Sequence, residues 1–479
     1  MEEIYTLLAG TLYGLIVGLV PSAGATTGLV ALFGFISYFG FDPYLGVIFC
    51  MAVVAASTTG DTYSGVLLGI PGANSAAATM VDGYPLAKQG KATYALTAAI
   101  TTSTLNGLIW GTLTFALLPW YVQLIMYFGI PELWAFVMLA LACVGFVSNR
   151  YWVRSIIAIM IGLIIGLIGV DPATNVDRYT LGWDYLADGV QLLPFVAGLF
   201  AFPEILDGWK QGKSIATVGK DSHGKQTWQG IKEVWRCKWD ALRGGAIGAF
   251  IGFLPGLGGA MGDWMAYGST VATHPKEKFG NGNIRGVIGP EGANNSQKAT
   301  SMIPTVLFGI PGASFAAVLM ALFMYLGFEL GTPDLAYDTR FFDSLTFGFM
   351  WATVIVGVVC VAFNRYIAKI CYVPYKYYFP LIVAFIVWAC VQYTGGWEDY
   401  AILGICSALG YFAKKYKFSR PAMLMAFILA MKVEALTIQM TSLYNIQMLL
   451  QRPLFLVLCL AITCLFLYGI SRKNRLEYS

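Results

Sequence analysis

The chain has 479 residues and a formal net charge of +4; 57% of it is hydrophobic and 12% charged, where soluble domains carry about 25% charged residues. Apolar runs long enough for a bilayer recur along its whole length, and the mean hydropathy is +0.66; this is the composition of an all-α polytopic membrane protein and excludes a soluble or nucleic-acid-binding domain. The runs are continuous rather than alternating in polarity, which argues against a β-barrel.

Two histidines, His223 and His274, lie in polar connections, and nine scattered cysteines form no CxxC pair. A histidine-based catalytic or metal centre is therefore not expected, no cofactor is implied, and the cysteines read as packing residues. Met1-Glu2-Glu3 lacks the basic start of a cleavable leader, so the first apolar run is expected to stay in the membrane.

In chain order, apolar runs cover 4–38 (interrupted at Pro21), 44–60, 64–81, 94–118, 132–148, 152–170 and 189–205. A polar stretch from Asp207 to Arg243 follows. Runs resume at 244–273 (interrupted at Pro255), 286–328 (interrupted at Pro304 and Pro311), 344–363, 378–393, 400–413, 421–436 and 448–470. Proline removes a backbone donor, so each interruption at membrane depth leaves polar groups that lipid cannot satisfy.

The second series repeats the first. Gly14, Gly18, Pro21, Gly24 and Gly28 recur with identical spacing as Gly248, Gly252, Pro255, Gly258 and Gly262, each 234 residues later. Gly69-Ile70-Pro71-Gly72-Ala73 recurs as Gly309-Ile310-Pro311-Gly312-Ala313, 240 residues later. Gly129-Ile130-Pro131 lacks these surroundings, so the tripeptide alone is not diagnostic. The expected organisation is a first transmembrane repeat (1–205), a basic linker (206–243), a second repeat (244–440), and an additional helix with a basic tail (441–479).

Charge placement relates the halves. Residues 207–243 carry eight lysines and arginines against four acidic residues, which places them, and the tail with Arg472, Lys473 and Arg475, on the cytoplasmic side. Stretches 171–188 and 329–343 each hold a single arginine and no lysine, which places them outside. The first repeat ends its Gly-Ile-Pro-Gly hairpin at Asp82–Lys91, and the second ends its hairpin at 329–343. The halves thus enter from opposite faces, the pattern of inverted-topology repeats whose broken or re-entrant helices meet near the midplane. A parallel duplication is the alternative. Trp228, Ile231, Trp235 and Trp239 recur at helical spacing in the linker, as in a helix lying on the inner leaflet or one burying its tryptophans against the protein.

These motifs resemble the large membrane subunit of the tripartite tricarboxylate transporter (TctA) family. The matching residues are Gly14, Gly18, Pro21 and Gly24; Asp82-Gly83-Tyr84-Pro85-Leu86-Ala87-Lys88-Gln89-Gly90-Lys91-Ala92; Leu254-Pro255-Gly256-Leu257-Gly258; Phe279-Gly280 with Gly282; Pro290-Glu291-Gly292-Ala293-Asn294-Asn295; and Gly309-Ile310-Pro311-Gly312. The resemblance covers nearly the whole chain. It implies a secondary transporter importing a di- or tricarboxylate or related organic anion, driven by a Na⁺ or H⁺ gradient. The implied partners are a small integral membrane subunit and an extracytoplasmic solute-binding protein; the implied location is the inner (plasma) membrane. The chain departs from the family at Gly69, where asparagine is common, at Ala73 and Asn74, where an acidic residue commonly follows Pro-Gly, and at Asp61, Asp263 and Lys298.

A carboxylate at membrane depth needs hydrogen-bond donors, which helix N-termini and small polar side chains supply. The candidate substrate residues are Ser22, Gly24, Thr26 and Thr27 at the first break, and Pro71, Gly72, Asn74 and Ser75 at the second. In the second half they are Pro255, Gly256, Asn294, Asn295, Lys298, Pro311, Gly312 and Ser314. Candidate Na⁺ ligands are Thr59, Gly60, Asp61, Ser64, Asn294, Thr300 and Ser301, together with carbonyls freed at the breaks. Lys298 has three readings: a substrate contact, a partner of Asp61 or Glu291, or a snorkelling side chain. Two rival functions remain at this stage, a gated channel and a membrane-embedded enzyme, the latter without any histidine in the apolar runs.

Overall fold

Inside a bilayer the backbone must satisfy its own N–H and C=O groups, so apolar runs become helices. The computed structural model describes residues 1–20, 24–39, 42–69, 76–125, 127–146, 152–171, 176–203, 206, 223–255, 260–370, 380, 383–384, 386–388, 390 and 396–476. The first half holds α1 (Glu2–Leu19), α2 (Gly24–Phe39), α3 (Pro43–Leu68), α4 (Ala77–Lys88), α5 (Ala92–Ala116), α6 (Leu118–Ile125), α7 (Ile130–Phe146) and α8 (Trp152–Gly166). Within the basic connection lies α9 (His223–Arg236). The second half holds α10 (Lys238–Phe253), α11 (Ala260–Thr273), α12 (Arg285–Thr300), α13 (Met302–Phe308), α14 (Ser314–Tyr325), α15 (Thr339–Ala362), α16 (Glu398–Lys415) and α17 (Arg420–Leu443), followed by α18 (Pro453–Leu476). Among the described residues the strands are confined to the antiparallel pair Gly169–Val170 and Asp177–Arg178. The fold is all-α.

Among the described residues four helices, α1, α3, α15 and α17, are long and apolar enough to cross a membrane by length and composition. The runs at 44–60 and 64–81 are redrawn, because α3 continues unbroken from 43 to 68. Its polar stretch, Thr58 to Asp61, forms no turn; every residue of α3 from Cys50 to Leu67 is buried. A helix covered all round is a central element. Around it pack α1, α2, α4, α5 and α15. In the second half α12 takes the same place, with residues 286–300 all buried, against α10, α11 and α5.

The repeat seen in the glycines is also a repeat of contacts. A Cβ at Gly14 would fall 2.7 Å from the Val53 carbonyl oxygen, and one at Gly248 would fall 2.5 Å from that of Ala293. At Gly18 the distance is 2.2 Å to the Ser57 oxygen, and at Gly252 it is 2.3 Å to the Gln297 oxygen. The partners in each comparison are 240 residues apart. In both halves the glycines let the opening helix lie directly on the backbone of the central one.

The linker tryptophans are not buried against the protein. Trp228, Trp235 and Trp239 are 69%, 65% and 71% exposed, while Gly230 and Val234 face α5. Lys238 to Arg243, at the end of the basic stretch, form the first turns of α10.

Candidate functional site

The two Gly-Ile-Pro-Gly copies begin alike. α3 ends on Gly69 with φ 65° and ψ 23°, and α13 ends on Gly309 with φ 60° and ψ 36°, both left-handed helix caps. Glycine adopts this conformation without a Cβ penalty, and asparagine is the other residue that tolerates it. The replacement of asparagine by Gly69 therefore keeps the backbone geometry.

At the second break the freed groups are taken up by the protein itself. The Phe308 carbonyl accepts a hydrogen bond from the Lys432 ammonium on α17. The Val306 carbonyl accepts from Gly331 N–H at 2.9 Å, and the Pro304 carbonyl from Ile310 N–H at 3.1 Å. Gly312 N–H donates to Thr305 Oγ1 at 3.1 Å. A Cβ at Gly312 would lie 2.7 Å from Ser301 Cβ, so the break folds back onto the end of α12. The hairpin tip is thus closed on itself here, and its chemistry shifts to the side chains of α12.

Those side chains meet α3. Lys298, 3% exposed, donates to Thr58 Oγ1. The Thr58 hydroxyl itself donates to the Val54 carbonyl at 2.8 Å, so it faces Lys298 as an acceptor. Thr62 Oγ1 donates to Glu291 Oε1 at 3.1 Å, and Asn294 Nδ2 approaches Glu291 Oε2 at 3.5 Å. Gln297 Nε2 donates to Asp263 Oδ2 at 3.0 Å, tying α12 to α11. Asp61 is fully buried, and neither of its carboxylate oxygens has a hydrogen-bond partner among the described residues. Thr59 Oγ1, Asn294 Oδ1, and Oδ1 and Nδ2 of Asn295 are likewise unpartnered there. Ionisable groups at this depth are costly and pair or serve a function.

The remaining predicted positions distribute as follows. Gly24 opens α2 with φ 57°, with Thr26 half-buried and Thr27 buried behind it. Pro255 is buried just past α10, Pro311 is buried in the second break, and Ser314 heads α14 half-buried. Gly60 packs against the Gly18 backbone. Ser64, Thr300 and Ser301 donate to carbonyls of Asp61, Ser296 and Lys298 at 2.9, 3.1 and 2.9 Å, which leaves their lone pairs as acceptors. Ser22, Pro71, Gly72, Asn74, Ser75 and Gly256 lie outside the described residues. Among the described residues no three His, Cys, Asp or Glu side chains are placed to hold a metal ion together.

Several members of the cluster do not stand out in the sequence. Thr58, Thr62 and Gln297 carry contacts between elements, and Thr102, Ser103 and Asn106 on α5 are buried with unpartnered oxygens, that of Asn106 against Gly245 of α10. The polar run Thr101–Asn106 inside an apolar stretch was the available signal. The Asp82 motif has a different role. Asp82 Oδ1 accepts from the backbone N–H groups of Gly280, Gly282 and Asn283 at 2.8, 3.0 and 2.8 Å, and Oδ2 from the Tyr267 hydroxyl at 3.0 Å. Gln89 Nε2 adds a bond to the Asn281 carbonyl at 2.9 Å. Nearby, the Asn283 side chain and Arg285 hold the Glu277 carboxyl below its ordinary range. The two family motifs at Asp82 and Gly280 are thus halves of one latch joining the first and second halves of the chain.

Residues 4–425 match the family described as the tripartite tricarboxylate transporter TctA family. An uncharacterized 52.8 kDa protein of the TAR-I ttuC' 3' region of Agrobacterium vitis is 28% identical over 439 residues, covering 90% of this chain and 86% of the relative. An uncharacterized protein of the TAR-II ttuC' 3' region of the same organism is 27% identical over 190 residues, 39% of this chain and 78% of the relative. No solved structure matches the chain. With its multi-helical apolar architecture and a match across nearly its whole length, the chain belongs to the tripartite tricarboxylate transporter TctA family, as a membrane subunit of a transporter.

Proposed function

We propose that the protein is the solute-translocating subunit of a binding-protein-dependent secondary transporter, importing a di- or tricarboxylate on a cation gradient. The observation that carries this reading is the buried ammonium of Lys298, held by Thr58 where α3 and α12 meet. An organic anion crossing a membrane needs a positive charge in a desolvated place, and a lysine offers a strong point charge to a carboxylate. Asn294 and Asn295 beside it supply further polar atoms. The unpartnered oxygens of Asp61, Thr59 and Asn294 are the hard ligands an alkali cation takes.

Two repeats, 1–205 and 244–440, joined by the linker 206–243 and followed by 441–479, are inverted relative to each other. Contact order supports this. From Thr58 to Thr62 on α3 the partners on α12 descend from Lys298 to Glu291. From Thr97 through Thr104 to Gly107 on α5, the partners descend from Asn364 through Gly357 to Thr353. Helices in matching places of the two halves thus run antiparallel. In this orientation the linker and C-terminus are cytoplasmic at the inner membrane, the exposed tryptophans of α9 face the inner leaflet, and a small membrane subunit and a binding protein complete the complex. The paired hairpins move in an elevator-type step.

The test is uptake of labelled citrate into proteoliposomes holding the complex, with the binding protein and each ion gradient omitted in turn. Uptake should need the binding protein and one cation gradient; flux indifferent to both would contradict the reading and favour a channel. Crosslinks trapping the hairpins at one depth in both states would contradict the elevator step.

A further inference from the structure

We propose that Asp61 is the internal counter-anion of Lys298, pairing with the ammonium while the site is empty and releasing it to a substrate carboxylate when the site fills. This rests on the reading of Lys298 as the substrate's cationic partner. Asp61 lies one helical turn beyond Thr58, on the same face of α3, and Thr58 is the residue that holds the ammonium. Three carboxyls stand in electrostatic reach of Lys298: Asp61 on α3, Asp263 on α11 and Glu291 on α12 itself. Two are already engaged, Glu291 by Thr62 and Asn294, and Asp263 by Gln297. Asp61 alone of the three has both oxygens unpartnered among the described residues, and it is fully buried.

The pair also breaks the repeat. The position matching Lys298 in the first half is Thr58, and the position matching Asp61 in the second is Ser301. One charge has been placed on each half, opposite in sign, at the junction. A buried charge that loses its partner is strongly destabilised, so an empty carrier with a lone ammonium could not easily reorient. Asp61 removes that obstacle. When a substrate carboxylate draws Lys298 away, Asp61 stands open to the coupling cation, which links the two binding events.

The proposal predicts opposite signs for binding and turnover. In the reconstituted complex, Asp61→Asn should bind labelled citrate about threefold or more tightly, because the ammonium is no longer held by an internal competitor. Its net uptake should fall about tenfold further than its citrate–citrate exchange, because exchange never requires the empty carrier to reorient. Asp61→Glu should restore net uptake. If Asp61→Asn does not fold, the double variant Asp61→Asn/Lys298→Met, which leaves neither charge alone, should fold and bind no citrate. Weaker or unchanged binding by Asp61→Asn, net uptake and exchange falling in step, or citrate binding by the double variant would overturn the proposal. Wild-type complex that binds and transports no carboxylate would instead remove the transport reading on which it rests.

Discussion

Lys298 hydrogen-bonds Thr58, and the two residues hold the same position in the two halves, 240 residues apart. A residue that touches its own counterpart in the sequence repeat stands where the two halves of the chain meet, and the ammonium lies there. Lys298→Gln keeps N–H donors but removes the charge. It should weaken citrate binding by about tenfold or more, equivalent to about 1.4 kcal/mol, measured by titration calorimetry on the complex. Unchanged affinity would place the substrate elsewhere.

The latch at Asp82 makes a prediction about stability rather than transport chemistry. Its carboxylate accepts four hydrogen bonds, three of them from backbone N–H groups of the 280–283 loop. Hydrogen bonds to a charged group contribute about 1.5–3 kcal/mol each and do not add. Asp82→Ala should therefore lower stability by about 3 kcal/mol or more, and Tyr267→Phe by about 1 kcal/mol. Denaturant unfolding in detergent measures both. Equal, small effects would mean that the latch is not holding the repeats.

The glycine caps separate backbone conformation from substrate contact. Gly309→Ala must place a Cβ on a left-handed residue and should cost about 1–2 kcal/mol, whereas Gly309→Asn should cost less. The same order is expected at Gly69. If alanine and asparagine behave alike in thermal unfolding, the cap conformation is not what these positions require.

The proposed inversion of the two halves is testable by labelling. In a background with Cys371, Cys459 and Cys464 replaced, cysteines substituted at Lys225 and at Asp334, both exposed, should react with a membrane-impermeant maleimide from opposite sides. Lys225→Cys should react only from the cytoplasmic face and Asp334→Cys only from outside. Labelling of both from one face would contradict the inversion.

Much of the architecture was legible in the sequence because it is written in residues with little freedom. Gly14, Gly18, Gly248 and Gly252 are the points where helix backbones touch, so a packing repeat appears as a glycine repeat. The break at Pro311 shows as a proline in an apolar run. The polar junction was only partly legible. Asp61 and Lys298 are conspicuous as charges in such runs, but Thr58, Thr62 and Gln297 look like ordinary small or polar packing residues until their partners, far away in the chain, are known. Nor does the sequence say that the Phe308 carbonyl, expected to be free for a cation, is capped by Lys432. The Asp82 motif carries the family resemblance but proved to be a structural tie, because a motif read alone does not reveal which backbone it binds.

The most direct test of the central claim is labelled citrate accumulation by proteoliposomes containing the full complex, wild type against Lys298→Met, with the cation gradient imposed or collapsed. Gradient-dependent accumulation by the wild type and its loss in a folded Lys298→Met protein is the result predicted. Accumulation by Lys298→Met at the wild-type rate, or wild-type flux independent of the gradient, would contradict a carboxylate carrier built around the Lys298 junction.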